Sequence, residues 1–165
     1  MATNGRAHRP TPEEETPWGS AVLGFRNYWY PIFSTKEIGT KPKGVLLLGD
    51  NVVLMRGQKD GKVYAMNDNC FHRGTLLSFG RGCEFKGTNT ITCPYHGWTY
   101  NLEDGMCVAV LPEGVESRVP GKVKQRTYPI EERKGIVWIW MGEMTPAPLD
   151  DDIPNLVIRD DTIAK

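Results

Sequence analysis

Two short stretches, Cys70-Phe-His-Arg-Gly74 and Cys93-Pro-Tyr-His-Gly-Trp98, decide how this sequence is interpreted. Each places one cysteine and one histidine close to a glycine, and twenty residues separate His72 from Cys93. Together they supply two thiols and two imidazoles. The 165-residue chain has only three histidines and four cysteines, so few kinds of metal or catalytic site can be built from it.

The order of ligands within each stretch distinguishes two kinds of metal site. A zinc site of two cysteines and two histidines usually takes its cysteines from one turn and its histidines from another element. Here each loop offers one of each, which suits a two-iron cluster with two Cys on one iron and two His on the other. We expect Cys70 and Cys93 to hold the inner iron, and His72 and His96 the outer, more exposed iron. A structural zinc module is the alternative.

The two stretches resemble the Rieske signature, C-x-H and C-x-x-H with trailing glycines. The segment Leu23-Gly-Phe-Arg-Asn-Tyr-Trp-Tyr-Pro31 and the stretch Gly135–Met141 are similar to the N-terminal Rieske domain of ring-hydroxylating oxygenase α subunits, in particular to carbazole-dioxygenase-like terminal components. This resemblance covers about residues 18–148. It implies a [2Fe-2S] cofactor and an all-β fold, an antiparallel β-sandwich with an inserted cluster-binding subdomain at about residues 67–110.

One departure from the wider family narrows the resemblance. Rieske proteins of bc complexes carry a second cysteine in each loop and join the pair as a disulfide, whereas the matching positions here are Thr75 and Tyr95. This resembles the oxygenase and ferredoxin branch, with potentials low in the range of about −150 to +300 mV. The lack of a loop disulfide also agrees with a reducing compartment, so we expect a cytoplasmic protein.

Residues next to the loops are expected to support the cluster. Gly74 and Gly97 are turn formers that would leave backbone N–H groups free to point at sulfur, which raises the potential of a cluster. Phe71, Tyr95 and Trp98 are positioned to shield the site from water. Two further cysteines, Cys83 and Cys107, have no partner motif. Three cations near the first loop, Arg73, Arg81 and Lys86, could form either a docking surface for an acidic partner or a solvated rim.

Short strands divided by turns account for most of the chain. Eighteen glycines and twelve prolines suit a turn-rich all-β domain, and no stretch of ten residues has helical periodicity. Ser34-Thr-Lys-Glu37 has the spacing of a capping box. The predicted strands are Val45–Leu48, Val52–Arg56, Lys62–Met66, Thr90–Thr92, Trp98–Leu102, Met106–Val110, Gln125–Glu131 and Gly135–Met141.

The two ends of the chain have a different composition. Residues 1–17 are polar, and we expect them to form a disordered arm. We expect residues 18–148 to form the Rieske domain and residues 149–165 to form a linker or tail. Twenty basic residues balance twenty acidic ones, which argues against a nucleic-acid partner. The apolar runs are too short to cross a membrane.

These observations predict electron transfer through the cluster. A complete Rieske oxygenase also needs a mononuclear iron held by two histidines and a carboxylate. With His72 and His96 used, only His8 remains, so this chain cannot supply that site. We expect the chain to be the Rieske part of an aromatic-ring oxygenase. A ferredoxin or flavin reductase would be the donor, and an oxygenase catalytic domain or neighbouring subunit the acceptor. A free-standing Rieske ferredoxin is the alternative.

Overall fold

Three antiparallel sheets make up residues 25–152, the part of the chain that the computed structural model describes. The strands in this range are β1 (Tyr28–Ser34), β2 (Lys43–Leu47), β3 (Asp50–Arg56), β4 (Val63–Asn67), β5 (Arg81–Phe85), β6 (Thr88–Thr92), β7 (Trp98–Asn101), β8 (Cys107–Val110), β9 (Thr127–Tyr128), β10 (Ile130–Arg133) and β11 (Ile136–Met141). Short 3-10 helices cover Thr35–Glu37, Leu77–Phe79 and Leu111–Glu116, and α1 covers Leu149–Asp152. The predicted all-β class is confirmed.

Two of the sheets enclose an apolar core. The first has the strand order β1-β11-β10 and the second β2-β3-β4-β9. Alternate residues of β11, among them Val137 and Ile139, pack in one core with Val52 and Leu54 of β3. Such alternation of inward and outward side chains is what a two-sheet sandwich requires. The predicted antiparallel sandwich is therefore confirmed.

Strand β3 is covered on both faces, and its sequence is correspondingly apolar throughout. Val53 and Met55 point away from the sandwich core into a second core, which also contains Ile91 of β6. This second core belongs to the third sheet, with the order β5-β6-β7-β8. The sheet lies between β4 and β9 in the chain, so it is an insertion, as predicted. The structure continues this insertion to residue 126, past the predicted end at residue 110.

Pro129 divides a segment that the sequence predicts as one strand. Thr127–Tyr128 pairs with β4 in the second sheet, whereas Ile130–Arg133 pairs with β11 in the first. Proline has no N–H to donate to a sheet ladder, so the pairing breaks at this residue. The chain thereby crosses from one layer of the sandwich to the other.

Two strands were not predicted. Strand β1 lies in the aromatic stretch Tyr28-Trp-Tyr30, and the ring of Trp29 is buried. Strand β5 has too little apolar alternation to be found from sequence. It is joined to β6 by Lys86 and Gly87, both with positive φ (49° and 77°), a combination suited to a tight hairpin.

The first residues of the predicted C-terminal linker pack on the first sheet. Leu149 is 2% exposed and contacts Trp29 and Trp140. The Trp29 indole donates to the carbonyl of Ala147 at 2.7 Å, and Arg133 pairs with Asp150 at 2.6 Å. Leu149 of α1 therefore packs against the first sheet, although the proline- and aspartate-rich sequence around it predicts a linker or tail. The predicted disordered arm, residues 1–17, and the rest of the predicted linker, residues 153–165, lie outside the described residues.

Two smaller features complete the fold. The predicted capping box is present, because the Ser34 side chain accepts from the Lys36 amide and the Glu37 carboxylate accepts from the Ser34 amide. No helix within residues 25–152 has the length and apolar character that crossing a bilayer would need.

Candidate metal centre

Two loops with the same backbone frame carry the predicted ligands. In the first, the Gly74 amide donates to the Cys70 carbonyl at 2.7 Å and the Cys70 amide donates to Thr75 at 2.9 Å. In the second, the corresponding bonds join Gly97 to the Cys93 carbonyl at 3.1 Å and the Cys93 amide to Trp98 at 2.8 Å. Both glycines have positive φ (71° and 65°), which an L side chain rarely adopts. Each loop is thus a closed five-residue turn from cysteine to glycine.

The four predicted residues lie together in two layers. Cys70 and Cys93 are each 3% exposed and belong to the core of the inserted sheet. His72 is on the surface and His96 is half-buried, and their ring centroids are 4.9 Å apart. The two thiols are therefore buried, whereas the two imidazoles lie closer to the surface.

The Nδ1 atom of His96 is the polar atom that most clearly lacks a partner. It is buried, and within residues 25–152 it is the one buried side-chain nitrogen or oxygen with no hydrogen bond. Buried polar atoms in folded proteins are nearly always satisfied, so each exception requires an explanation such as an ion. An imidazole nitrogen is a suitable donor to iron, and Cys93 of the same loop carries a buried thiol. The site thus fits the cofactor that the sequence predicts.

The electrostatics of the two thiols also suit a metal. Burial raises the pKa of the Cys93 thiol, while amide donors from Tyr95 and His96 lower it and the nearby Cys70 thiol raises it. A thiolate at this position is disfavoured on its own and needs a nearby positive charge, which a metal supplies. The donors to sulfur are therefore the Tyr95 and His96 amides. This agrees with the expectation that turn formers in the loops leave backbone N–H groups free to point at sulfur, while the Gly74 and Gly97 amides themselves close the two turns.

Tyr100 is the site residue that the sequence analysis missed. Its side chain is fully buried, and its hydroxyl oxygen lies 3.2 Å from the Cys70 sulfur. Burial raises the pKa of the phenol, and the Cys70 thiol raises it further, so the hydroxyl keeps its proton and is the donor to a thiolate. The signal was available, because Trp98 and Tyr100 are two apart on β7 and therefore point to the same face.

The three predicted shielding residues divide into two groups. Trp98 is half-buried, and its indole is stacked on the His72 ring. Phe71 and Tyr95 are 63% and 61% exposed, so they shield the site little. Leu111, which was not predicted, approaches the second loop: its amide donates to the Gly97 carbonyl at 3.1 Å. The exposed aromatic rings thus form part of the surface around the histidines.

The remaining candidates have simpler surroundings. Cys107 is fully buried, and burial raises its pKa, in agreement with the expected packing role. Cys83 is half-buried beside the Thr90 hydroxyl at 3.3 Å. All four cysteines of the chain are free thiols. Three cations in or after the first loop are exposed, namely Arg73, Arg81 and Lys86.

Comparison with known proteins supports the same site. The sequence profile described as Rieske [2Fe-2S] domain matches residues 28–129. The terminal oxygenase component of carbazole 1,9a-dioxygenase from Metapseudomonas resinovorans is 44% identical over 146 residues, 88% of this chain and 37% of that protein. The oxygenase subunit of 3-chlorobenzoate-3,4-dioxygenase from Comamonas testosteroni is 34% identical over 145 residues, 87% of this chain and 31% of that protein.

Solved structures agree with the sequence matches. The oxygenase–ferredoxin complex of carbazole 1,9a-dioxygenase contains a chain with a TM-score of 0.74 and 45% identity, covering 86% of this chain and 35% of that one. The terminal oxygenase from Novosphingobium sp. KA1 gives a TM-score of 0.75 at 38% identity, covering 88% of this chain and 38% of that one. The chain thus spans about a third of the length of these relatives. It belongs to the Rieske [2Fe-2S] domain family, in the branch found in terminal components of ring-hydroxylating oxygenases.

Proposed function

We propose that Cys70, Cys93, His72 and His96 hold a [2Fe-2S] cluster, the cysteines on the inner iron and the histidines on the outer one. The observation that carries this assignment is the buried, unpartnered Nδ1 atom of His96, in a loop whose buried cysteine lies next to the buried cysteine of the other loop. When bound, the cluster supplies one-electron transfer. The chain's own contribution is to close both turns, to donate amide and phenol hydrogen bonds to sulfur, and to leave the histidines facing outwards.

The electron acceptor in this proposal is the mononuclear iron of a ring-hydroxylating oxygenase that acts on aromatic compounds. Two of the three histidines in these 165 residues are used by the cluster, so that iron would be bound by other residues, in a catalytic domain or a neighbouring subunit. Support comes from the named relatives, which are oxygenase components about three times as long as the matched region. The free thiols suit the cytoplasm as the place of action.

A set of exposed apolar residues on the two loops and on the 3-10 helix Leu111–Glu116, which we call the contact face, is suited to an electron-transfer partner. It consists of Phe71, Tyr95, Leu111 and Val115, which are 55–94% exposed. Leu111 also lines an open groove together with Phe79 and Arg81. Apolar residues with cations at the rim are typical of sites that bind another protein. A ferredoxin is the donor we propose, because relatives of this chain form complexes with one; a flavin reductase would use the same face.

Metal content and spectrum test the cluster. The purified chain should be brown, contain two irons, and bleach with dithionite. Cys93→Ser and His96→Ala should lose this spectrum. Their matched controls, Cys83→Ser and His8→Ala, should keep it, because both residues lie outside the proposed ligand set. A colourless protein with one zinc per chain would reject the proposal.

The contact face is tested by the rate of electron transfer from a reduced ferredoxin. Val115 is 94% exposed, so Val115→Asp should fold normally and weaken docking roughly tenfold, as the loss of about 1.4 kcal/mol of contact energy would produce. Leu46→Asp is the control, because Leu46 is also exposed (68%) but lies on β2, outside the insertion. Equal rates for both variants would place the donor elsewhere.

A further inference from the structure

The indole of Trp98 lies flat on the imidazole of His72. The two rings are parallel to within 1°, and their centroids are 4.7 Å apart. The other histidine has a different aromatic neighbour, since the Tyr95 ring is tilted by 39° to His96 and is largely exposed. The two histidines of the site therefore have unequal surroundings.

Trp98 is itself held in place by the inserted sheet. It is the first residue of β7 and pairs with Val110 of β8. Its carbonyl accepts the Cys93 amide at 2.8 Å, and its side chain packs on the core that contains both cysteines. The backbone of Trp98 thus belongs to the second loop, while its side chain contacts the histidine of the first. The indole is a fixed surface that connects the two loops.

The His72 ring has few other contacts that could fix its orientation. It sits in an exposed turn, and no hydrogen bond to its side chain is found in the part of the chain that the structure describes. Its second ring contact, with His96, is edge-on at 65°. An edge contact leaves the ring free to turn, whereas a flat contact defines its plane.

We propose that Trp98 is a positioning residue for the iron ligand His72, an inference that rests on the proposed function. The stacked indole fixes the plane of the His72 ring and makes this ligand distinct from His96. A structural role in the fold alone would not require the rings to be parallel, because the indole could pack on the same core in other orientations.

The stacking also predicts a direction for the reduction potential. The face of an indole ring is electron-rich, so it favours the more electron-poor state of a metal-bound imidazole, which is the oxidised state. The indole also excludes water from this side of the site, and exclusion of water disfavours the reduced state with its additional negative charge. Both effects lower the potential, so loss of the indole should raise it.

Three variants test this proposal on the cluster-loaded protein. Trp98→Leu removes the aromatic face, Trp98→Phe keeps a flat ring, and Phe25→Leu removes an exposed aromatic residue (62% exposed) that lies outside the insertion. The midpoint potential and the EPR g-values are measured for each. We expect Trp98→Leu to raise the potential and shift the g-values, and Trp98→Phe and Phe25→Leu to remain close to the wild type.

Each result decides between the possibilities. If Trp98→Leu has the potential and g-values of the wild type, Trp98 does not position His72 and the inference is rejected, although the cluster assignment stands. If Trp98→Leu loses the cluster and Trp98→Phe retains it with wild-type g-values, the need for a flat ring is supported. If both lose the cluster, the indole serves the fold and the inference is rejected. A wild type without a Rieske spectrum would reject the proposed function together with the inference.

Discussion

Replacing Tyr100 by phenylalanine should lower the reduction potential of the site without unfolding it. The substitution removes one buried hydroxyl and keeps the ring that fills the core. The lost contact is the 3.2 Å hydrogen bond to the Cys70 sulfur, for which the high pKa of the buried phenol makes Tyr100 the donor. A donor to sulfur stabilises the reduced state most, because that state carries the larger negative charge.

The size of the shift follows from the energy of one hydrogen bond. The difference in its strength between the two oxidation states is about 0.5–1.5 kcal/mol, the net range for a protein hydrogen bond. For a one-electron couple, about 1.4 kcal/mol corresponds to 59 mV. Tyr100→Phe should therefore lower the potential by about 20–65 mV.

Redox titration followed by visible absorption measures this shift. The matched control is Tyr128→Phe, which removes another buried tyrosine hydroxyl, 3.3 Å from Asp50 and outside the site. The control should leave the potential unchanged. An equal shift in both variants, or a rise for Tyr100→Phe, would refute the reasoning, since the hydroxyl would then not act through the Cys70 sulfur.

Three further predictions concern stability. Burial and the Asp60 carboxylate, 2.5 Å away, raise the pKa of Tyr64 from the usual 10.0 to about 12. The folded protein therefore favours the protonated phenol, and the stability that this contributes is complete below pH 10 and is lost as the pH rises to about 12. In urea unfolding, the free energy of unfolding of Tyr64→Phe should therefore decline less over this pH range than that of the wild type. Leu149→Ala should lower the free energy of unfolding by about 2–5 kcal/mol, whereas no change would place α1 outside the domain. Arg56 donates to the carbonyls of Thr35, Ile38 and Gly61, and it pairs with Glu132 at 2.8 Å. Arg56→Met should therefore lower the free energy of unfolding in chemical denaturation by about 2–4 kcal/mol. An unchanged free energy of unfolding would contradict this prediction.

The sequence was most informative where chemistry restricts residue type. Cysteine and histidine at two fixed spacings predicted the family and its [2Fe-2S] cofactor, because few other side chains bind iron and each loop offers both kinds. The turn between β2 and β3 follows this rule only in part, since glycine suits the positive φ of Gly49 (82°), whereas leucine rarely adopts the positive φ of Leu48 (47°).

Features that depend on distant parts of the chain could not be predicted in this way. Tyr100 meets Cys70 across thirty positions of sequence, so its spacing from Trp98 can indicate the strand face on which it lies but not the sulfur that it contacts. Leu149 is surrounded by prolines and aspartates, so its burial against Trp29 becomes evident only from the first sheet. Strand β5 exists because β6 offers it an edge, and its own residues have weak strand character.

The two equivalent turns have a consequence for how the motif should be described. C-x-H and C-x-x-H suggest loops of different length, yet both turns run five residues from cysteine to a positive-φ glycine with the same pair of backbone bonds. Only the position of the histidine within the turn differs: it is the third residue of the first turn and the fourth residue of the second. A designer could therefore graft the same pentapeptide scaffold twice and choose the metal-binding geometry by moving one residue along it.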